Sequence, residues 1–186
     1  IMEFIHTNGY EPFPELPVHK LHGMRFYEAP DGLKYPSITT VLGKRPGKQK
    51  GLQRWRDRVG EEQARIISGK AARRGTVFHN IVENYLKNSD INDFKSDHFL
   101  AWHMFGELKE SLNTKITKVV MQEQTMHSPK YKVAGRCDFI GEYEGKLSIV
   151  DFKTTTTEKK EAWIEDYFIQ CAAYATMFEE HTGMTI

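Results

Sequence analysis

GRCDFIGEYEGKLSIVDFKTT, residues 135–155, sets Asp138, Asp151 and Lys153 into two short runs that otherwise alternate like core strands. Side chains alternate faces along a strand, so Asp151 and Lys153 share one face while Val150 and Phe152 take the other. A tight turn through Glu144-Gly145 would bring Asp138 about level with the end of the following strand. Two carboxylates and one ammonium are then expected on one surface. Ionised groups among apolar neighbours are costly unless they are paired or bind a metal. One reading is an exposed Asp151–Lys153 ion pair, worth about 0–1 kcal/mol, with Asp138 at a strand end. The other is a hard divalent cation: two carboxylates, a backbone carbonyl and water make the oxygen-rich, partly open shell that Mg²⁺ takes at about 2.0–2.1 Å. A lysine beside such an ion can polarise or deprotonate a water, or meet charge developing in a transition state. That combination is the chemistry of phosphodiester hydrolysis.

Upstream, the hydrophobic period is near 2 over Ile116–Met126, Tyr131–Glu142 and Lys146–Lys153, which predicts three consecutive strands in an antiparallel meander. Before them the pattern is helical. Helices are expected over Ile38–Leu42 with Ser37 as N-cap, over Lys48–Val59, Glu61–Ser68 and Ala71–Leu86, and over Asp97–Leu112, where Phe99, Trp102, Phe105 and Leu108 recur at helical spacing. After the sheet, a long amphipathic helix is expected from Glu161 to His181, stopped by Gly183. Met184-Thr-Ile has the composition of a strand start. Residues 1–34 carry four prolines and read as an irregular arm, with a short strand at Met24–Glu28 and a turn at Ala29-Pro-Asp-Gly32. Helices, then a meander, then a helix packed on it predict an α/β (α+β) fold around a mixed central sheet.

At 186 residues the chain is expected to form a single domain: the arm, a helical basic part at 35–112, and the sheet with its long helix at 113–186. The formal charge of +1 conceals an asymmetry. Between Lys44 and Arg74 eleven basic residues face three acids, a local net of +8, so the rest of the chain sums to −7. With Arg54, Arg56 and Arg58 around Trp55, this segment reads either as a solvated helix face or as a footprint for a polyanion such as nucleic acid. Trp55 is read as core or as a platform for a base. No apolar run reaches the length of a membrane span and no signal-peptide pattern is present, so a soluble, cytoplasmic protein is expected. The two cysteines, Cys137 and Cys171, lie in apolar segments, are expected to be buried thiols, and are too few to ligate an iron–sulfur cluster.

An acidic residue on one strand followed by Asp-x-Lys on the next, here Asp138 and Asp151-Phe-Lys153, resembles the signature of the PD-(D/E)XK nuclease superfamily. Two flanking elements strengthen the resemblance. Gly75-Thr-Val-Phe-His79 is similar to the G-x-x-x-H element ahead of the sheet in RecB-type nucleases, and Gln170-Cys-Ala-Ala-Tyr174 to the Q-x-x-x-Y element after it. Pro36-Ser-Ile-Thr, the basic helices around Trp55, and Glu-Tyr-Glu-Gly-Lys-Leu before the Asp-x-Lys strand resemble the mitochondrial genome maintenance exonuclease branch. The similarity runs from about Tyr35 to Glu180.

The resemblance implies a restriction-endonuclease-like core and a metal-dependent deoxyribonuclease, an exonuclease on single-stranded DNA ends in replication, repair or recombination. Asp138, Asp151 and the Phe152 carbonyl would hold one or two Mg²⁺ or Mn²⁺ ions. Lys153 would activate the water, and His79 would complete the metal shell, an imidazole suiting Mn²⁺ better than Mg²⁺. Glu83, four residues after His79, would orient it or remain solvated. Glu123 resembles a strand acid of the superfamily. Gln170 and Tyr174 would touch the DNA backbone, orient catalytic groups or pack. Arg73 and Arg74, read as lying at a helix start before Gly75, would meet phosphates, with Arg54, Trp55 and Ser37 as further DNA contacts. Replication or recombination proteins are expected partners, in a bacterial or virus-infected cell. A silent DNA-binding module of the same fold, and an endonuclease on the same core, are the competing readings.

Overall fold

The structure, a computed structural model, describes residues 3–7, 10, 13–157 and 161–186. Two compact units result: Gly43–Thr114, and Phe4–Leu42 with Lys115–Ile186.

The second unit holds the sheets. Its main sheet orders the strands β1 (Ile5–His6), β5 (Ile116–Ser128), β6 (Val133–Tyr143) and β7 (Lys146–Val150) side by side. β5, β6 and β7 are antiparallel neighbours, as the meander predicts, and β1 lies parallel to β5, which makes the sheet mixed. The β6–β7 turn is the two-residue Glu144-Gly145, both at positive φ (48° and 79°), the left-handed pair that a tight hairpin demands. Helix α6 (Glu161–Thr182) packs on these strands, and with α1 (Ile38–Gly43) it closes a core of Ile38, Leu42, Met126, Cys137, Ile140, Tyr174, Met177 and Phe178. Ser37 begins α1 as expected: its hydroxyl accepts the Thr40 N–H at 3.1 Å.

The N-terminal arm is more ordered than its prolines suggested. β2 (Val18–Leu21), β3 (Met24–Glu28) and β4 (Lys34–Pro36) form an antiparallel sheet of their own. Leu16, Tyr27, Ala29 and Tyr35 bury themselves with Ala134 of β6. Pro36 is tolerated because it lies at the end of the edge strand β4. At the other terminus Met184–Ile186 form no strand; the Ile186 N–H is taken by the Glu179 carboxylate at 2.9 Å.

The first unit is helical: α2 (Pro46–Val59), α3 (Glu61–Leu86), α4 (Asp93–Asp97) and α5 (Phe99–Lys115). Gly60, at φ 87°, separates α2 from α3. The two helices expected over 61–68 and 71–86 are one continuous helix of 26 residues. Gly69 and Gly75 weaken it by only about 1 kcal/mol each relative to alanine, and the good helix formers between them carry it through. On α5 the buried face is Ala101, Phe105 and Leu112, with Tyr85 of α3 edge-on to Phe105 at 5.0 Å. Phe99, expected on that face, is instead exposed at the first turn.

Candidate metal and catalytic site

The ladder between β6 and β7 ends at Phe139↔Val150, so the next rung would set Asp138 opposite Asp151. It is not built from backbone. The Phe152 N–H donates to Asp138 Oδ2 at 2.8 Å, so a carboxylate takes the place of the strand carbonyl. This corrects the expected strand over Lys146–Lys153: β7 stops at Val150, and Asp151-Phe-Lys153 is an irregular extension hung on the Asp138 side chain. Phe152 is itself buried, which fixes the segment between its two charged neighbours.

The same rung is broken on the other side. Gln122↔Phe139 and Gln124↔Cys137 bracket a position where Glu123 would pair with Asp138. Glu123 instead adopts φ 47°, a left-handed conformation uncommon for a side chain of its kind. One carboxylate oxygen of Glu123 lies within 4.8 Å of one of Asp138. Glu123, Asp138 and Asp151 thus occupy one row across three neighbouring strand positions.

The Asp151 side chain is only 5% exposed, and the Lys153 Nζ approaches its Oδ2 at 2.5 Å. This ammonium is the close charge partner of a largely desolvated carboxylate. Burial first, and then the adjacent Asp138 carboxylate, push the Asp151 carboxyl up to about 6, against the pull of Lys153. Such a site holds an extra proton or takes a cation. The Lys153 ammonium also lies over the Tyr167 ring of α6 at 5.2 Å, which gives it a defined seat.

Behind the row, Gln170 Nε2 donates to the Tyr174 hydroxyl at 3.1 Å, with both residues buried. Burial holds the Tyr174 phenol well above its ordinary pKa, so it stays neutral. A Cβ at Gly135 would fall 2.7 Å from Tyr174 Cε1, so only glycine lets β6 meet this ring. Enclosed in this way, the pair is positioned to support the sheet, the packing role among the alternatives expected for it. Ser37 is buried too, and its hydroxyl is engaged by Thr39 and Thr40 in the cap of α1. Cys137 is buried, and Cys171, expected to be, is only partly so; burial, and then the Asp151 charge, push the Cys171 thiol up to about 11.

In the helical unit, His79 is half-buried on α3, edge-on to Phe78 at 6.0 Å. Glu83 pairs with Lys87 at 2.5 Å, one turn on. Arg73 and Arg74 are in the interior of α3, so the expected helix start, with its free N–H groups, is not there. On α2, Arg54 is exposed and Trp55 half-buried, and no residue of the helix is fully buried.

Sequence reasoning missed Tyr167 and Arg136. Tyr167 stands three residues before Gln170 and seven before Tyr174, a spacing that places it on the same helix face. Arg136, a lone cation in an apolar strand, donates from Nη1 to the Glu123 carbonyl at 2.5 Å.

A family model described as the PD-(D/E)XK nuclease superfamily matches residues 49–185. The chain belongs to this superfamily. Its mixed sheet and flanking helices agree with the restriction-endonuclease-like fold. Among curated proteins it is similar to mitochondrial genome maintenance exonuclease 1 of human, 29% identical over 163 residues, which is 80% of this chain and 45% of the relative. The mouse protein of that name is 26% identical over 130 residues, 67% of this chain and 38% of the relative. The Xenopus tropicalis protein is 26% identical over 148 residues, 75% and 42% respectively. The chain therefore spans less than half the length of these relatives. No helix among the described residues is long and apolar enough to cross a membrane.

Proposed function

We propose that this member of the PD-(D/E)XK superfamily is a metal-dependent deoxyribonuclease that works as an exonuclease on single-stranded DNA ends. The observation that carries the reading is the row of Glu123, Asp138 and Asp151 with Lys153 at its edge: acids on neighbouring strand positions, one of them a buried carboxylate ion-paired with the lysine. Carboxylate oxygens gathered around the desolvated Asp151 fit a hard divalent cation, Mg²⁺ or Mn²⁺. Asp138 and Asp151 are its proposed ligands, with the Phe152 carbonyl and Glu123 as further oxygens; His79 is a further proposed ligand, in line with the family motif. When bound, such an ion supplies Lewis-acid polarisation of a phosphodiester and lowers the pKa of water.

The protein groups do the rest. Asp151 holds Lys153 beside the row, and the Tyr167 ring limits where the ammonium can go. From that seat Lys153 activates the attacking water and meets the negative charge that grows on the phosphate. Gln170 and Tyr174 keep β6 at its distance from α6 and so preserve the row. Arg54, Arg73 and Arg74, with Trp55, are proposed as the DNA-guiding surface of the basic segment, through phosphate contacts and stacking. The name of the relatives supports an exonuclease and the charge of that segment supports a DNA substrate; action on single strands, in replication, repair or recombination, belongs to the same proposal. Labelled linear and circular single strands incubated with Mn²⁺ test the reading. Cleavage of the linear strand alone, lost in Asp151→Asn and Lys153→Ala, is expected; cleavage undiminished in both variants would refute it.

A further inference from the structure

Glu123 poses a structural question that its family role does not answer. A glutamate in the left-handed region is strained and persists only where surrounding contacts determine it. Its carbonyl accepts the Arg136 Nη1 donor. The other arm of the same guanidinium, Nη2, donates to Glu15 Oε1 in the N-terminal segment. That segment is docked on both sides of Glu15. The Leu16 N–H donates to Thr125 Oγ1 at 2.8 Å, and the Thr125 hydroxyl donates to the Pro14 carbonyl at 3.2 Å. Thr125 is itself the β5 partner of Arg136.

We infer that Pro14–Leu16 is a clamp: through Arg136 it holds the Glu123 backbone left-handed and so keeps the Glu123 carboxylate beside Asp138, ready for a cation. Glu15 and Arg136 are positioning residues in this scheme. A planar fork can serve a carbonyl and a carboxylate at once, whereas a lysine ammonium lacks that geometry. The Arg136–Glu15 pair is partly exposed, with side chains 34% and 63% accessible, so as an ion pair it adds little to stability. Its consequence is the conformation of residue 123. The inference rests on the metal-dependent reading and gives the N-terminal arm a role in it.

The test is Mn²⁺ affinity, followed by titration with detection of free ion by electron paramagnetic resonance, in wild type, Glu15→Gln, Arg136→Lys, Glu123→Gln and the double variant Glu123→Gln/Arg136→Lys. Partners that orient metal ligands typically contribute 10–100-fold in affinity, so Arg136→Lys and Glu15→Gln should each weaken Mn²⁺ binding about 10-fold. Their ion-free melting temperatures should stay near that of wild type. In the Glu123→Gln background Arg136→Lys should have no further effect, because the carboxylate it positions is gone. Equal weakening in both backgrounds, or none in either, overturns the clamp while leaving the nuclease reading intact. Absence of Mn²⁺ binding by wild type overturns both. If Arg136→Lys does not fold, Glu15→Gln in the two backgrounds gives the same comparison.

Discussion

Two ion pairs, one in each unit of the molecule, show how much environment decides what a charge does. In the helical unit, Glu62 and Arg65 pair at 2.9 Å with side chains 75% and 74% exposed. In the sheet unit, Asp151 and Lys153 pair at 2.5 Å, with the aspartate 5% exposed. The first is solvated, screened by salt and of little energetic consequence. In the second, desolvation works against the ionised carboxylate and Asp138 adds repulsion, so a formally paired acid is still held up to about 6. The same chemical groups are incidental in one place and poised in the other.

The largest expected effect is catalytic. Asp151→Asn and Lys153→Ala should each reduce Mn²⁺-supported cleavage by at least about 10²–10³-fold, measured on a labelled single strand; Glu62→Gln should leave it unchanged. The next concerns packing. Gly135→Ala would place a Cβ against the Tyr174 ring and should cost about 1–3 kcal/mol in chemical denaturation, well above the response at exposed positions.

A third prediction follows from titration. The Asp151 carboxyl is raised in the folded state, so between its ordinary value of 3.8 and about 6 the native protein binds the extra proton. Its contribution is therefore fully present below about pH 4 and is lost as pH rises through about 6. Thermal melts of ion-free protein should show this decline. Asp151→Asn should flatten it and raise the melting temperature at pH 8, while Mg²⁺ or Mn²⁺ should restore stability in wild type only.

A smaller effect is expected on the basic segment. Arg54→Ala should weaken single-strand binding and lower the salt slope by about 0.7, the amount for one lost phosphate contact, without altering the melt. Smallest of all, Glu62→Ala should change stability by no more than about 0.5 kcal/mol. A large loss there would break the contrast between the two ion pairs.

Much of the acidic row was legible in the primary sequence because it depends on short-range rules. The period-2 alternation puts Asp151 and Lys153 on a common face, and the Glu144-Gly145 turn sets the β6–β7 register that levels Asp138 with Asp151. The continuity of α3 across Gly69 and Gly75 was harder to read. A glycine in a helix imposes a penalty without a steric block, and the sum over neighbouring residues decides the outcome. The strands β1, β2 and β4 in the proline-rich arm were likewise hidden, since their pairing is stabilised by partners and not by intrinsic pattern.

By itself, then, the chain's order of residues determined which acids and which lysine could meet, and the family motifs in which they stand. Tertiary structure alone decided that β7 would stop at Val150 with the Phe152 N–H on Asp138, that Glu123 would turn left-handed under Arg136, and that Gln170 and Tyr174 would be enclosed. The physical reason is distance along the chain. Turns and alternation act over a few residues, whereas desolvation and side-chain hydrogen bonding depend on neighbours such as Glu15 and Arg136, 121 residues apart, that only the fold brings together.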